Sequence, residues 1–165
     1  LIVTGCLAQR YREEILQEIP EVDIVLGVTA YDKILEAVDE ALKGKSEVIL
    51  KDKDMLPLVD TKRLVTTGGH FAYLKIAEGC DKCCTYCIIP KIRGNFRSVP
   101  LERLLKEAEE LAKQGVKELI LVAQETTLYG TDLYGKKTLP LLLKELCKIA
   151  GLRWIRLLYL SLIHI

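Results

Sequence analysis

Short apolar runs alternate along the chain with longer stretches whose apolar residues recur every three or four positions. Residues 1–4 (Leu-Ile-Val-Thr) read as a brief buried strand ending at Gly5-Cys6. Leu7, Tyr11, Ile15, Leu16 and Ile19 then fall on one helical face, and Pro20 marks the end of that helix. Residues 23–26 predict a second strand closed by Gly27, and Tyr31, Ile34, Leu35, Val38, Ala41 and Leu42 predict a second helix stopping near Gly44. This βαβα order predicts parallel strands with covering helices. Cys6 then sits at the carboxyl edge of a strand, where open α/β sheets place their sites.

The character changes over 45–69. Charged stretches such as Lys51-Asp52-Lys53-Asp54, then Pro57 and Gly68-Gly69, read as an interdomain connection carrying one short strand near 48–50. A second α/β unit follows. Residues 71–77 predict a strand, and Leu101, Leu104, Leu105, Ala108, Leu111 and Ala112 a helix with Pro100 in its first turn and Gly115 at its end. Strand, helix and strand then follow at 118–123, 139–150 and 154–159. The expected fold class is α/β: a partial N-terminal open parallel domain over 1–44, a linker over 45–69, and part of a (β/α) barrel over 70–159.

Composition narrows the function classes. The chain has 165 residues, half of them hydrophobic, and its 24 basic and 23 acidic residues leave a net charge of +1. No large field therefore draws this segment to nucleic acid or an anionic membrane. No apolar run approaches the roughly 18 residues of a membrane span, and the cytosol is the expected compartment. The opening has neither a basic leader region nor a small-residue cleavage site, and Val3-Thr4-Gly5-Cys6 is only faintly like a lipoprotein cleavage box. The absence of an initiator Met, with a strand at the very start, predicts a fragment. Residues 160–165 resemble a translated sequencing adaptor and are expected to be a non-native tail, so His164 carries no functional weight.

The chemistry concentrates at Cys80-Asp81-Lys82-Cys83-Cys84-Thr85-Tyr86-Cys87. Cys80, Cys84 and Cys87 are spaced C-x3-C-x2-C. Three thiolates on one short loop can hold three irons of a 4Fe-4S cluster and leave the fourth open to chelate S-adenosylmethionine. Cluster potentials reach down to about −700 mV, low enough for one-electron reduction of a sulfonium. Two C-x2-C pairs could instead bind zinc, but zinc ribbons separate their pairs by roughly 15–20 residues. Adjacent Cys83 and Cys84 would also strain a tetrahedron. The bacterial ferredoxin run C-x2-C-x2-C-x3-C does not fit. Six cysteines in 165 residues fall below the roughly 8–10% of a disulfide scaffold. Cys147, in a leucine-rich helical pattern, is expected in the core, and His70 beside Gly-Gly is expected to be structural.

Two sets of residues carry a family resemblance. Ala77-Glu78-Gly79-Cys80-Asp81-Lys82, Cys84-Thr85-Tyr86-Cys87-Ile88-Ile89-Pro90, Arg93-Gly94 and Arg97-Ser98 resemble the methylthiotransferases of the radical S-adenosylmethionine superfamily from about Phe71 onward. Val3-Thr4-Gly5-Cys6-Leu7-Ala8-Gln9 resembles the third cysteine motif of that family's N-terminal domain. Lys91-Ile92-Arg93-Gly94 and residues 123–135 are most similar to the branch that modifies an aspartate of a small-subunit ribosomal protein, rather than the sister branch acting on tRNA adenosine.

The resemblance implies two 4Fe-4S clusters. Cys80, Cys84 and Cys87 would hold the cluster that cleaves S-adenosylmethionine to a deoxyadenosyl radical, which takes hydrogen from the aspartate β-carbon. A radical route suits that bond, because the neighbouring carboxylate is ionised near neutral pH and activates it poorly. Cys6, with two cysteines upstream of this chain, would hold an auxiliary cluster that delivers the methylated sulfur. Tyr86, Arg93, Arg97 and Gln124 are the expected cofactor-binding residues, and a reductant such as flavodoxin the expected electron donor. Arg93 and Arg97 pair either with the cofactor carboxylate or with helix and loop groups. Gln124, Thr126 and Tyr129 line a pocket or order their loop. Cys83 and Glu125 depart from the family pattern, which more often has another polar residue and Asp there. A non-catalytic electron carrier or metal-stabilised module is the alternative, distinguished by the absence of S-adenosylmethionine turnover.

Overall fold

Strands of only three residues build the first sheet. In the computed structural model, which describes residues 1–55, 63–66 and 68–160, β1 (Ile2–Thr4), β2 (Ile24–Leu26) and β3 (Glu47–Ile49) are parallel and adjacent in chain order. Val3 pairs with Val25, and Val25 with Val48. The chain divides into two compact units, Leu1–Thr61 with Cys83–Gly94 and Lys62–Lys82 with Asn95–Ile165.

In the first unit, side-chain alternation along the strands sends residues to two opposite faces. Ile24 and Leu26, with Ile2 and Ile49, pack beneath Ala30, Ala37 and Ala41 of the segment carrying α3 (Ile34–Leu42). Val25, with Val3 and Val48, packs against Ala8, Ile15 and Leu16 of α1 (Cys6–Tyr11) and α2 (Glu13–Glu18). The expected open parallel α/β arrangement is present, and β3, in the stretch read as a connection, is its third strand. α4 (Ile89–Arg93) completes this unit.

Three details differ from the sequence expectations here. The single helix expected before Pro20 is broken at Arg12, whose φ of 44° turns the chain. Ala8 and Gln9 are buried instead of Leu7, and Gln9 Oε1 accepts the Val28 N–H at 3.1 Å. Along α3 the buried position is Ala37, with Ala41 partly buried, whereas Leu35 and Leu42 are 77% and 82% exposed. Three short strands offer few side chains on this face, and the small alanines let the helix lie close to them.

In the second unit β4 (Phe71–Lys75), β7 (Glu118–Val122) and β8 (Trp154–Leu157) are parallel, in that order, with Leu74 opposite Leu121 and Leu121 opposite Leu157. α5 (Leu101–Lys113) and α7 (Leu139–Leu146) make the crossovers. This is the expected βαβαβ series of a partial (β/α) barrel, and among the described residues the sheet is open. Leu104, Ala108 and Leu111 of α5, and Leu139, Leu142 and Leu146 of α7, share one core with Leu74, Leu119 and Leu121. Pro100 caps α5 rather than entering its first turn. Past its end, Gly115 takes φ +99° while Val116 N–H donates to Leu111 O at 3.2 Å.

Sequence periodicity does not show β5 (Ala77–Glu78), β6 (Arg97–Ser98), α4 or α6 (Thr131–Tyr134), all too short to display a period. β5 and β6 form an antiparallel ribbon. Cys147 is exposed, not in the core: it follows Leu146 at the end of α7, one residue round from the buried Leu139, Leu142 and Leu146. The His70 carbonyl accepts Lys117 N–H at 2.8 Å and its ring meets Phe71 edge-on. The expected tail beyond Leu160 and the Pro57 part of the connection lie outside the described residues.

Candidate functional site

The carboxyl ends of β4, β7 and β8 are tied to one another by loop hydrogen bonds. Ile76 N–H donates to Val122 O at 2.9 Å as the chain leaves β4. Thr126, buried after β7, donates from its N–H (3.3 Å) and its hydroxyl (3.1 Å) to Tyr159 O after β8. Tyr129 is fully buried and its hydroxyl donates to Val99 O at 2.8 Å. Thr126 and Tyr129 thus order the loop that follows β7. Gly130 has φ +86°, and a Cβ there would lie 1.8 Å from Thr138 Oγ1, so only glycine fits. Ser98 Oγ accepts the Gly130 N–H at 2.8 Å and in turn donates to Asp132.

This edge also holds the segment around Cys80. Gly79 N–H donates to Gln124 Oε1 at 2.8 Å. Asp81 Oδ1 accepts the Phe96 N–H at 2.9 Å, and Lys82 forms an ion pair with Glu125. Glu125 is 3% exposed and accepts the Thr127 N–H at 3.0 Å. Burial pushes its carboxyl pKa up, but the Lys82 ammonium and the Thr127 hydroxyl and N–H outweigh that and hold it below the usual range. Arg97, on β6, donates to Asn95 O at 2.5 Å.

In the first unit, Cys6 opens α1 just beyond β1. Its Sγ accepts two hydrogen bonds from Arg93 at the end of α4, from Nε at 3.3 Å and from Nη2 at 3.1 Å. Cys87 N–H donates to Cys84 O at 2.9 Å, closing a turn that carries both residues of the C-x2-C step. Tyr86, between them, is 91% exposed. The structure therefore brings Arg93 to Cys6 and Gln124 to the cysteine segment. Sequence reasoning did not foresee the roles of Asp81, Lys82 and Ser98, and noted Glu125 only as a departure. A carboxylate directly after the apolar β7 run was the available signal, since a buried charge needs a partner.

All six cysteines are free thiols. Among the described residues, no three or more His, Cys, Asp or Glu side chains are grouped as a metal site. The donor chemistry fits an iron–sulfur cluster: soft thiolates select such clusters over oxygen-liganded metals. Residues 79–88 contain one turn and no helix or strand. Cys83 is exposed, and adjacent to Cys84 in the chain.

Parallel β/α units whose polar loops leave the carboxyl ends of the strands define a class of α/β proteins that work at that edge. The Radical SAM superfamily model matches residues 74–161, and the chain belongs to that superfamily. It is 65% identical over 159 residues to the ribosomal protein uS12 methylthiotransferase RimO of Lachnoclostridium phytofermentans. It is 53% identical to proteins of the same name from a Thermoanaerobacter species and from Clostridium kluyveri, over 159 and 160 residues. In each case the match covers 96% of this chain and 36% of the relative, so the chain spans about a third of the length of these curated relatives. Iron–sulfur and S-adenosylmethionine chemistry accompany the superfamily in general. Among the described residues no helix is long and apolar enough to cross a membrane.

Proposed function

We propose that this chain is part of a radical S-adenosylmethionine methylthiotransferase that adds a methylthio group to the β-carbon of an aspartate in a small-subunit ribosomal protein. The observation that carries this is the 65% identity across 96% of the chain to a relative named as a uS12 methylthiotransferase. In this reading residues 1–44 belong to the methylthiotransferase N-terminal domain and 70–159 open the radical S-adenosylmethionine domain.

Cys80, Cys84 and Cys87 hold one 4Fe-4S cluster, and Cys6, with two cysteines outside this chain, holds an auxiliary one. Bound there, the clusters and S-adenosylmethionine supply one-electron cleavage and the sulfur to be transferred. The chain's own residues present thiolates of both sites from strand ends and connecting loops. The ordered loop after β7 borders the strand ends at which substrate is received. Arg93 serves Cys6, while Tyr86, Arg97 and Gln124 remain the candidates for contact with S-adenosylmethionine. The enzyme works in the cytoplasm with a flavodoxin-like electron donor.

The test uses the full-length enzyme with reductant and S-adenosylmethionine, offered the ribosomal protein and tRNA together. A methylthio adduct on the protein aspartate, read by mass spectrometry, is the expected product. An adduct on tRNA adenosine with the protein unchanged moves the assignment to the tRNA-modifying branch. No deoxyadenosine at all returns the chain to the electron-carrier reading.

A further inference from the structure

The residues on either side of Cys80 are held by three ties to two parts of the second unit, the loop after β7 and the stretch before β6. Gly79 is fixed through its N–H to Gln124 Oε1, Asp81 through its carboxylate to the Phe96 N–H, and Lys82 through its ammonium to Glu125. Gln124 and Glu125 are neighbours in sequence, and in a regular strand they would point to opposite faces. Here the strand has ended at Val122 and the backbone bends at Gln124, so both side chains reach one short segment.

The Glu125 carboxylate is nearly inaccessible, a placement that costs free energy unless the charge is paired and hydrogen-bonded. The Lys82 side chain is 35% exposed, and ion pairs open to solvent contribute little to stability, so stability alone is a poor reason for this one. What the pair does provide is position. Lys82 is two residues from Cys80, and Glu125 is rooted through Ala123 in β7, an inner strand paired on both sides.

We propose that Gln124 and Glu125 are positioning residues for Cys80: by clamping Gly79 and Lys82 to the end of β7, they set its sulfur as the fixed ligand onto which the cluster is built. Cys84 is exposed and its carbonyl accepts the Cys87 N–H in a single turn. The sheet thus supplies one ligand ready-placed. This inference rests on the reading of Cys80 as a cluster ligand given above. Groups that orient a metal ligand typically govern affinity by about 10- to 100-fold.

The experiment uses the full-length protein carrying Cys6→Ala, so that the iron observed belongs to the Cys80 loop. After anaerobic reconstitution with iron and sulfide, release of iron to a chelator is timed in Glu125→Gln, in Gln124→Ala and in the reversed pair Lys82→Glu with Glu125→Lys. Glu125→Gln is expected to release iron about tenfold faster. Gln124→Ala, which removes the Gly79 tie and is read here without S-adenosylmethionine, is expected to be faster as well, and the reversed pair to recover much of the slow rate. A Glu125→Gln or Gln124→Ala variant that releases iron at the parental rate overturns the proposal. Should Glu125→Gln fail to fold, Gln124→Ala decides alone. Cys80→Ala separates the two levels: a cluster retained in that variant defeats the ligand reading, whereas a cluster lost there with parental rates in both clamp variants defeats only the positioning role.

Discussion

Asp132 accepts two hydrogen bonds from Ser98, 2.8 Å from its backbone N–H and 2.6 Å from its hydroxyl, and so fastens β6 to α6 across 34 positions of sequence. Ser98 is wholly buried, and its hydroxyl also accepts the Gly130 N–H. Asp132→Ala in the full-length protein leaves the Ser98 N–H without its acceptor, at a cost of about 1–3 kcal/mol. The expected outcome is a melting temperature several degrees lower. Asp132→Asn, which keeps one acceptor oxygen, is expected to fall between the two. An unchanged melting temperature for Asp132→Ala would show that this tie contributes nothing to the fold.

Tyr129 gives a pH-dependent prediction. Burial, reinforced by Tyr134, Glu102 and Asp132, raises its phenol pKa well above the usual 10.0. The folded state therefore holds a proton that the unfolded chain releases near pH 10. A group with a raised folded pKa contributes stability that is complete below the unfolded pKa and is lost as pH rises through the folded one. Tyr129→Phe removes the hydrogen bond to Val99 O and is expected to lower stability near neutrality by about 1 kcal/mol. It is also expected to flatten the decline above about pH 10. Denaturant unfolding of both proteins across that range reads the difference in slope, and parallel curves would contradict the assignment.

Arg93 places two donors on Cys6 Sγ. Hydrogen bonds to cluster sulfurs are among the factors that set reduction potential. On the proposed two-cluster reading, Arg93→Met in a full-length protein lacking Cys80 is expected to make the auxiliary cluster harder to reduce. In the protein with both clusters, the same variant is expected to bind S-adenosylmethionine as before. Redox-titrated electron paramagnetic resonance and a cofactor-binding titration read the two effects. An unmoved potential with weakened cofactor binding would return Arg93 to the cofactor carboxylate.

Much of the architecture was legible in the chain because it rests on local patterns. The parallel order of both units follows from strand-sized apolar runs alternating with helix-sized periodic ones. α5 was readable at nearly its full length because Leu104, Ala108 and Leu111 repeat on one face over 13 residues, with Gly115 just beyond. The C-x3-C-x2-C spacing on which the proposed cluster site rests is also read locally, since the identity and separation of thiols along one loop need no partner from elsewhere.

Tertiary structure alone decided the rest. Which face of α3 is buried depended on how few side chains the three short strands present, so Ala37 is inside and Leu35 outside. The break at Arg12 and the exposure of Cys147 depend on where a helix stops, a matter of one or two residues to which periodicity is blind. The meetings of Arg93 with Cys6, of Gln124 with Gly79 and of Glu125 with Lys82 span 87, 45 and 43 positions of sequence. No local pattern encodes such pairs. They exist because separate segments are carried to the same place by the packing of the elements that bear them, and only there can a carboxylate, an amide or a guanidinium find the group it serves.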